Sequence, residues 1–209
     1  YLYVMEEKAE DKEYIINGIV QTGPEKEALK SVYLAEILGL SIDQSTNLYR
    51  FDTVEAKNKL EQSPVVKTAL VEIQPPNTVY IDYTVRNPIA YLYDFENTAI
   101  DAEGFILPIS PFFTPKNLPY IYLGDVESLS WGAELENEGM KLSLHLLEIC
   151  SKEEYRNAFD VERIDVSNAF SSSYGQRQIV IILADRLTES QNGKRRILRL
   201  SSRNYLNEL

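Results

Sequence analysis

The stretch that decides the fold spans residues 47–88 and reads NLYRFDTVEAKNKLEQSPVVKTALVEIQPPNTVYIDYTVRNP. Its first half predicts a short helix, because Asp52 followed three residues later by Glu55 is the spacing of a helix-capping box. Proline lacks an N–H group and disfavours helical backbone at the residue before it, so Ser63-Pro64 ends this helix. We expect three side chains of the helix to face a core: Val54, Ala56 and Leu60.

The second half of the stretch changes to a period of two, which is typical of β-strands. One predicted strand places Ala69, Val71 and Ile73 on a single face, and Pro75-Pro76-Asn77 supplies a turn. After the turn, apolar and polar side chains alternate from Val79 to Arg86. The two segments therefore predict an antiparallel pair within a sheet that has one solvated face.

The residues before this stretch add one more strand and one more helix. The segment from Tyr14 to Val20 is predicted as the first strand, and a helix follows until Gly39 ends it. The expected apolar face of that helix consists of Leu29, Val32, Tyr33 and Ile37. Residues 1–12 are rich in charge and are predicted as a flexible leader. Residues 13–87 thus predict a β-α-α-β-β domain, with two helices on one face of a three-stranded sheet.

After Asn87-Pro88 the pattern changes to short strands separated by many turns. The predicted elements are a hairpin at 98–107 around Gly104, a helix at 140–150, strands at 179–184 and 195–200 on either side of a polar loop at 188–193, and the start of a helix at 202–209. Residues 88–209 therefore predict a mostly antiparallel β domain with one or two helices. The whole chain is predicted to be of the α+β class.

Composition and charge limit the classes of partner. The chain of 209 residues carries a net charge of −11, which argues against nucleic-acid binding and against adhesion to anionic lipids. Its single cysteine excludes an intrachain disulfide. No apolar run reaches about 18 residues, so no membrane-spanning segment is predicted within the sequence. Because the sequence begins with Tyr1, we expect it to be a piece of a longer protein.

No arrangement of residues predicts catalysis. His145 and Cys150 are the only residues of their kinds, but five positions apart on one helix they point away from each other. Four carboxylates flank the predicted hairpin, namely Asp94, Glu96, Asp101 and Glu103. They lack the spacing of a calcium loop, and we interpret them as solvated turn residues. We therefore predict no enzyme activity, no metal and no cofactor, and keep a hydrolase that uses His145 or the carboxylates of Asp101 and Glu103 as an alternative.

A basic cluster stands out in this acidic chain and consists of Lys194, Arg195, Arg196, Arg199 and Arg203. One interpretation is that the charges keep a strand edge solvated and prevent aggregation. The other is that they form a docking surface for an acidic partner, in which arginine is a common anchor.

The order of motifs along the chain resembles a known family. The early strand ending near Gly23, the helix at 29–38, Pro64-Val65 and the segment QPPNTVYIDYTVRNPIAYLYD resemble a POTRA domain. The following D-x-x-G hairpin from Asp101 to Gly104, with Leu118-Pro119 before Leu123-Gly124, resembles the FtsQ/DivIB cell-division proteins. The resemblance covers residues 14 to about 124, and it continues more weakly in the later strands.

This resemblance implies a non-enzymatic divisome scaffold that acts during septum formation. Such proteins have one membrane helix, then a POTRA domain and a β domain outside the cytoplasmic membrane, in the periplasm. The implied partners are divisome proteins of the FtsB/DivIC and FtsL type, bound by β-strand addition to the sheet edge. The expected partner-binding residues are Ile179, Ile181, Leu183, Arg196, Leu198, Leu200 and Tyr205.

Two departures from the family accompany this implication. The membrane helix is absent, and the family continues past a helix like that at 202–209 into a final strand. Because residues 201–209 have the pattern of a helix start, we expect the β domain at 88–209 to be truncated at its C-terminus. The alternative is that residues 195–201 are themselves the final strand, in which case the partner-binding site is present. POTRA domains also occur in outer-membrane assembly and secretion proteins, which gives an alternative function.

Overall fold

The computed structural model describes residues 7–23, 28–41, 43–186 and 194–209. The chain divides into two compact units. The first comprises residues 1–86 and 109–115, and the second comprises residues 87–108 and 116–209. The division after residue 86 lies next to the boundary predicted at 87, whereas residues 109–115 were expected in the second domain. The polar loop predicted at 188–193 lies outside the described residues.

Within the described residues, the first unit contains three strands and two α-helices in the predicted order, preceded by a helical stretch at residues 7–10. They are β1 (Gly18–Thr22), α1 (Ser31–Leu38), α2 (Thr53–Glu61), β2 (Val66–Gln74) and β3 (Thr78–Val85), with short 3-10 turns at Lys12–Tyr14 and Leu48–Arg50. The sheet order is β1-β3-β2. β3 runs parallel to β1 and antiparallel to β2, so the β2–β3 hairpin supplies two of the three strands. The predicted β-α-α-β-β order is confirmed.

α2 begins where the capping pattern predicts. Asp52 Oδ1 accepts hydrogen bonds from the N–H groups of Val54 and Glu55, both at 2.9 Å. Ala56 and Leu60 are buried as expected, but the prediction for Val54 was wrong, because its side chain is 67% exposed. A helix turns by about 100° per residue, so a residue two positions before Ala56 lies on the opposite face.

The apolar face of α1 differs from the prediction in the same way. Leu34 and Leu38 are buried, whereas Val32 is 69% exposed and does not face the core. Gly39 ends the helix with a positive φ of 68°, a backbone conformation that glycine adopts without strain. Leu34 and Leu60 belong to the core, together with Val79, Ile81, Tyr83 and Val85 of β3.

Residues 7–12, predicted as part of a flexible leader, have regular structure. Residues 7–10 are helical. The side-chain amide of Asn47 donates to the carbonyl groups of Lys8 and Asp11 at 3.0 and 3.1 Å. β1 also begins later than the predicted Tyr14, because Lys12–Tyr14 forms a 3-10 turn that Asp11 caps.

The segment at 109–115 completes the first unit from a distant part of the sequence. Lys30 N–H donates to the carbonyl of Pro111 at 2.8 Å, and Phe113 N–H donates to the carbonyl of Ala28 at 2.9 Å. Between them, Phe112 lies opposite Leu29, and both side chains are almost fully buried. A short antiparallel bridge therefore fixes this segment to the start of α1.

The second unit is built on a seven-stranded sheet. Its elements are β4 (Pro88–Leu92), β5 (Thr98–Asp101), β6 (Ile106–Pro108), β7 (Tyr120–Tyr122), α3 (Glu138–Cys150), α4 (Glu153–Arg156), β8 (Phe159–Asp165), a 3-10 turn (Tyr174–Gln176), β9 (Ile179–Asp185), β10 (Arg195–Leu200) and α5 (Tyr205–Glu208). The strand order is β10-β9-β8-β7-β4-β5-β6. All neighbours are antiparallel except β7, which is parallel to both β4 and β8. The predicted α+β class is confirmed.

One face of this sheet forms the core with α3. Leu146 of α3 packs in a cluster with Ile164 of β8 and with Ile179 and Ile181 of β9. Met140 of α3 belongs to a second cluster, with Ala90, Leu92, Ile100, Ile106 and Ile121. The core therefore lies on the helix side of the sheet. None of the helices in the described ranges is long and apolar enough to cross a lipid bilayer.

Candidate protein-interaction site

β10 lies at one edge of the seven-stranded sheet and pairs only with β9 within the described residues. Asp185 N–H donates to the carbonyl of Lys194, so Asp185 and every second residue before it in β9 face β10. Leu183 is one of these residues, and its partner in β10 is Arg196. The backbone groups of Arg195 and Ile197 therefore point away from β9, towards the free edge. This edge offers N–H and C=O groups to an added strand.

The opposite edge of the same sheet is covered. Ile106 N–H in β6 donates to the carbonyl of Ala133 at 2.9 Å, and Gly132 N–H donates back to the carbonyl of Ile106 at 2.7 Å. Phe105 also forms a bridge with Glu134. Within the described part of the chain, β10 is therefore the more accessible edge of the sheet.

Most of the predicted partner-binding side chains lie in the core. Ile179 and Ile181 are fully buried, and Leu183 and Leu200 are nearly so. Leu198 and Tyr205 are partly buried against the same cluster. Arg196 alone among the predicted residues is exposed, and its guanidinium bonds the carboxylate of Asp185 at 3.0 Å. Partner binding by these residues stays a prediction. The backbone groups that point to the free edge belong instead to their neighbours in β10, such as Arg195 and Ile197.

The basic cluster is partly neutralised by local partners. Arg195 forms an ion pair with Glu162 at 2.8 Å, and Arg196 lies over the ring of Phe159. Arg199 donates to the amide oxygen of Gln178 at 3.1 Å. The remaining positive charge of the basic cluster is therefore available to solvent or to a partner.

Four tyrosines form a row on the face of the sheet opposite α3. They are Tyr91 and Tyr93, on and just after β4, and Tyr120 and Tyr122 of β7. The ring centroids of Tyr91 and Tyr120 are 5.2 Å apart, and those of Tyr93 and Tyr122 are 5.7 Å apart. Burial, with the neighbouring Tyr120, raises the pKa of Tyr91. This row was not predicted, although the i, i+2 spacing of each tyrosine pair on a strand was a signal in the sequence.

Arg163 extends the tyrosine row onto β8. Its guanidinium lies 4.7 Å from the ring centroid of Tyr93 and 5.0 Å from that of Tyr122, and it bonds Asp165 at 2.8 Å. Aromatic side chains and arginine on an exposed surface are the residue types enriched where proteins bind one another. Tyr93 is 57% exposed and Tyr120 is 46% exposed, so the row is accessible.

The residues considered for catalysis do not form a catalytic arrangement. His145 is exposed on α3, with Nδ1 3.8 Å from a carboxylate oxygen of Glu148 and its ring against Tyr205. Cys150 is buried, and this burial raises the pKa of its thiol, which keeps it protonated and weakly nucleophilic. No Cys–His contact is present among the described residues.

Asp101 differs from the predicted solvated turn residue. It is only 3% exposed, and its Oδ1 accepts hydrogen bonds from the N–H groups of Glu103 and Phe105, both at 2.9 Å. Asp94, Glu96 and Glu103 are exposed as predicted. Within the described ranges, no group of His, Cys, Asp and Glu side chains is arranged to hold a metal ion.

A comparison with protein families matches part of the first unit. A family model for the FtsQ-type POTRA domain matches residues 27–83, which cover most of the first unit from before α1 to within β3. The first unit contains an FtsQ-type POTRA domain. No curated protein matches the chain. The POTRA domain is followed by the larger, β-rich second unit, in the order that the resemblance implied.

Proposed function

We propose that this chain is the extracytoplasmic part of a non-enzymatic cell-division scaffold of the FtsQ/DivIB type. The observation that carries the proposal is the FtsQ-type POTRA match at residues 27–83, placed before a unit whose β10 is an accessible sheet edge. In the proposed arrangement, a membrane helix of the parent protein precedes this chain, and both units act outside the cytoplasmic membrane.

The proposed partners are divisome proteins of the FtsB/DivIC and FtsL type, bound as a strand added to β10. Strand addition uses backbone hydrogen bonds for affinity and needs few special side chains. The outward backbone groups of Arg195 and Ile197, with that of Arg199, would pair with the incoming strand. This mode is consistent with the burial of Ile179 and Ile181 in β9 and of Leu200 in β10, whose side chains pack in the core rather than touch a partner.

The charge of the edge supports an acidic partner segment. Arg199 and Lys194 lie on or next to β10, and both are exposed in a chain whose net charge is −11. Complementary charge speeds association and fixes the register of an added strand. The ion pair of Arg196 with Asp185 neutralises part of the charge of this edge, so Arg199 and Lys194 would supply the attraction.

Replacement of Ile197 by proline tests the proposed edge. The N–H group of Ile197 points to the free edge, so Ile197→Pro removes a donor for the added strand without removing a bond to β9. Ile197→Ala is the matched control, since it removes the exposed side chain but keeps the N–H group. The measurement is isothermal titration of the full-length protein with periplasmic segments of FtsB/DivIC- and FtsL-type proteins.

We expect wild type and Ile197→Ala to bind these segments and Ile197→Pro to bind at least about ten-fold more weakly, the loss of one or two hydrogen bonds. Equal binding by all three proteins would show that the partner does not pair with β10. Absence of binding by the wild-type full-length protein would show that FtsB/DivIC- and FtsL-type proteins are not its partners.

A further inference from the structure

The first half of β8 lacks a neighbouring strand on one side. β7 pairs with β8 only from Arg163 to Asp165, although β8 begins at Phe159. The register of β8 with β9 shifts between Val161 and Arg163, which is a bulge that bends the strand at this point. In the part of the chain that the structure describes, no strand pairs with residues 159–162 on the β7 side.

The backbone groups on that side follow from the alternation in β9. Since Asp185 faces β10, the preceding residue Ala184 faces β8, where its partner is Asp160. The N–H and C=O groups of Phe159 and Val161 therefore point away from β9, into the gap beside β7. These backbone groups are exposed like those of an edge strand, although β8 lies inside the sheet.

A cleft of about 1500 Å³ opens along this half-strand. The cleft is lined by residues 117–120, by residues 159–163 and by side chains of α3 from Lys141 to Cys150. Its apolar lining includes Leu118, Pro119, Leu144, Leu147, Phe159 and Val161. Small-molecule pockets measure roughly 300–1,000 Å³, so this volume suits a peptide segment better than a small ligand.

The lining of the cleft contains more basic than acidic side chains. Its cationic lining residues are Lys141, Arg156, Arg163, Arg186 and Arg195, and its carboxylates are Glu148, Asp160 and Glu162. Arg186 is paired with Asp160, and Arg195 with Glu162. Lys141 and Arg156 are exposed and have no ion-pair partner within the described residues. Positive charge is thus in excess here, in a chain whose net charge is −11.

We propose that the first half of β8 binds an extended, acidic segment of a partner protein, which adds a strand inside this cleft. The backbone of the segment pairs with the free N–H and C=O groups of Phe159 and Val161. Its apolar side chains, at alternate positions, contact Leu144 and Leu147 of α3, and its carboxylates face the positive rim. The site shares the side chain of Arg195 with β10, but its backbone groups belong to β8, on the other side of β9 from the β10 edge. It does not require the proposed role in cell division.

A peptide of five Glu-Val repeats labelled with fluorescein is the probe, because it alternates acidic and apolar residues and can form a strand. The protein is the whole chain, and the readout is fluorescence anisotropy. We expect saturable binding of the Glu-Val peptide and no binding of the matched Lys-Val peptide. Equal binding of the two peptides, or binding of neither, would overturn the proposal.

Two kinds of variant locate the probe. Val161→Pro removes a cleft donor, and Ile197→Pro removes a donor of the β10 edge. We expect Val161→Pro to abolish peptide binding and Ile197→Pro to leave it unchanged, with circular dichroism to confirm that each variant is folded. The reverse pattern would place the peptide on β10 and overturn the proposal.

A charge reversal supports the same assignment if Val161→Pro does not fold. Lys141→Glu combined with Arg156→Glu is expected to weaken binding by about ten-fold or more, because both residues line the cleft. Lys12→Glu combined with Lys57→Glu, on the first unit, changes the net charge equally and is expected to bind as wild type. An equal loss in both double variants would show a non-specific charge effect and overturn the proposal.

Discussion

Asp101 shows how one buried carboxylate can define a turn. Its Oδ1 accepts hydrogen bonds from two backbone N–H groups, those of Glu103 and Phe105, in the hairpin between β5 and β6. Gly104 lies between them with a φ of 86°, which a side chain would strain. The hairpin is therefore specified jointly by a carboxylate and a glycine, three residues apart.

Replacing Asp101 by alanine should destabilise the second unit by about 1–3 kcal/mol, because two N–H groups lose their acceptor. Asp101→Asn keeps an oxygen at the same place and should cost less. The measurement is urea-induced unfolding, with Glu96→Ala as an exposed control from the same hairpin region. Equal stability of Asp101→Ala and Glu96→Ala would contradict this role.

The pair of Asp160 and Arg186 predicts a small pH dependence. The hydrogen bond from Arg186 lowers the pKa of Asp160 below its ordinary value. A carboxyl whose pKa is lower in the folded state stabilises the fold above its unfolded pKa of about 3.9, and the contribution disappears as the pH falls through the folded pKa. Both side chains are about half exposed, so solvent screening keeps the contribution below about 1 kcal/mol.

Asp160→Asn should therefore be less stable than wild type at pH 7, and the two should converge towards about pH 2. Unfolding by urea at several pH values measures the difference. A difference that grows on acidification would show that the pKa shift has the opposite sign.

At the scale of single elements, β1 begins at Gly18 and is followed directly by Gly23, and the two glycines have different surroundings. A Cβ atom added to Gly23, just after β1, would lie 2.4 Å from the carbonyl oxygen of Tyr83, whereas one added to Gly18 would meet only Thr78 Oγ1 at 3.7 Å. The first distance is impossible without moving the backbone. Gly23 therefore lets the end of β1 approach β3 closely.

Gly23→Ala should destabilise the POTRA domain by about 1–3 kcal/mol, the usual cost of overpacking. Gly18→Ala, in the same strand, should change stability by less than about 1 kcal/mol. Thermal unfolding of the two variants checks this. Similar melting temperatures for both would mean that the end of β1 can move away from β3 at little cost.

The elements were predictable where the pattern is local. The helix cap at Asp52, the alternation in β3 and the turn at Gly104 are all set by residues a few positions apart, and each was found in the sequence. The side-chain directions of Val32 and Val54 were missed because each is the second residue of its helix. Few helical residues precede it, so the helical period is set mainly by the residues that follow. A count of about 100° per residue back from Leu34 and Ala56 would have placed both on the exposed face.

The parts that the sequence did not reveal depend on distant residues. The bridge between Leu29 and Phe112 joins segments far apart in the chain, and no local period marks either residue as its partner. The gap beside β8 depends on β7 being short and on a bulge near Glu162. The placement of Ile179 and Ile181 in the core was likewise hidden, because their strand is apolar on both faces.

At the scale of the molecule, the first unit is not one continuous stretch of sequence, because residues 109–115 belong to it as well as residues 1–86. Phe112 lies between β6 and β7 in the sequence, yet it is 4% exposed within the unit that contains the POTRA domain. The free energy of unfolding of the first unit therefore depends on Phe112, which follows β4, β5 and β6 of the second unit in the sequence.

Phe112→Ala should destabilise the first unit by about 3–5 kcal/mol, the cost of emptying a buried aromatic site. Phe113→Ala is the matched control, since Phe113 is 72% exposed. Amide hydrogen exchange resolves the effect, with faster exchange expected in β3 and unchanged exchange in β9. Faster exchange confined to β9 would show that Phe112 stabilises the second unit instead.

The single tryptophan has a practical consequence for such experiments. Trp131 belongs to the second unit, where its indole N–H donates to Thr98 Oγ1 at 3.4 Å. The chain contains no other tryptophan, while its 14 tyrosines are distributed over both units. Intrinsic fluorescence excited at the red edge of the indole band is thus a built-in optical reporter for the β-rich half. Circular dichroism records both halves, and the offset between the two melting curves would measure how independently they unfold.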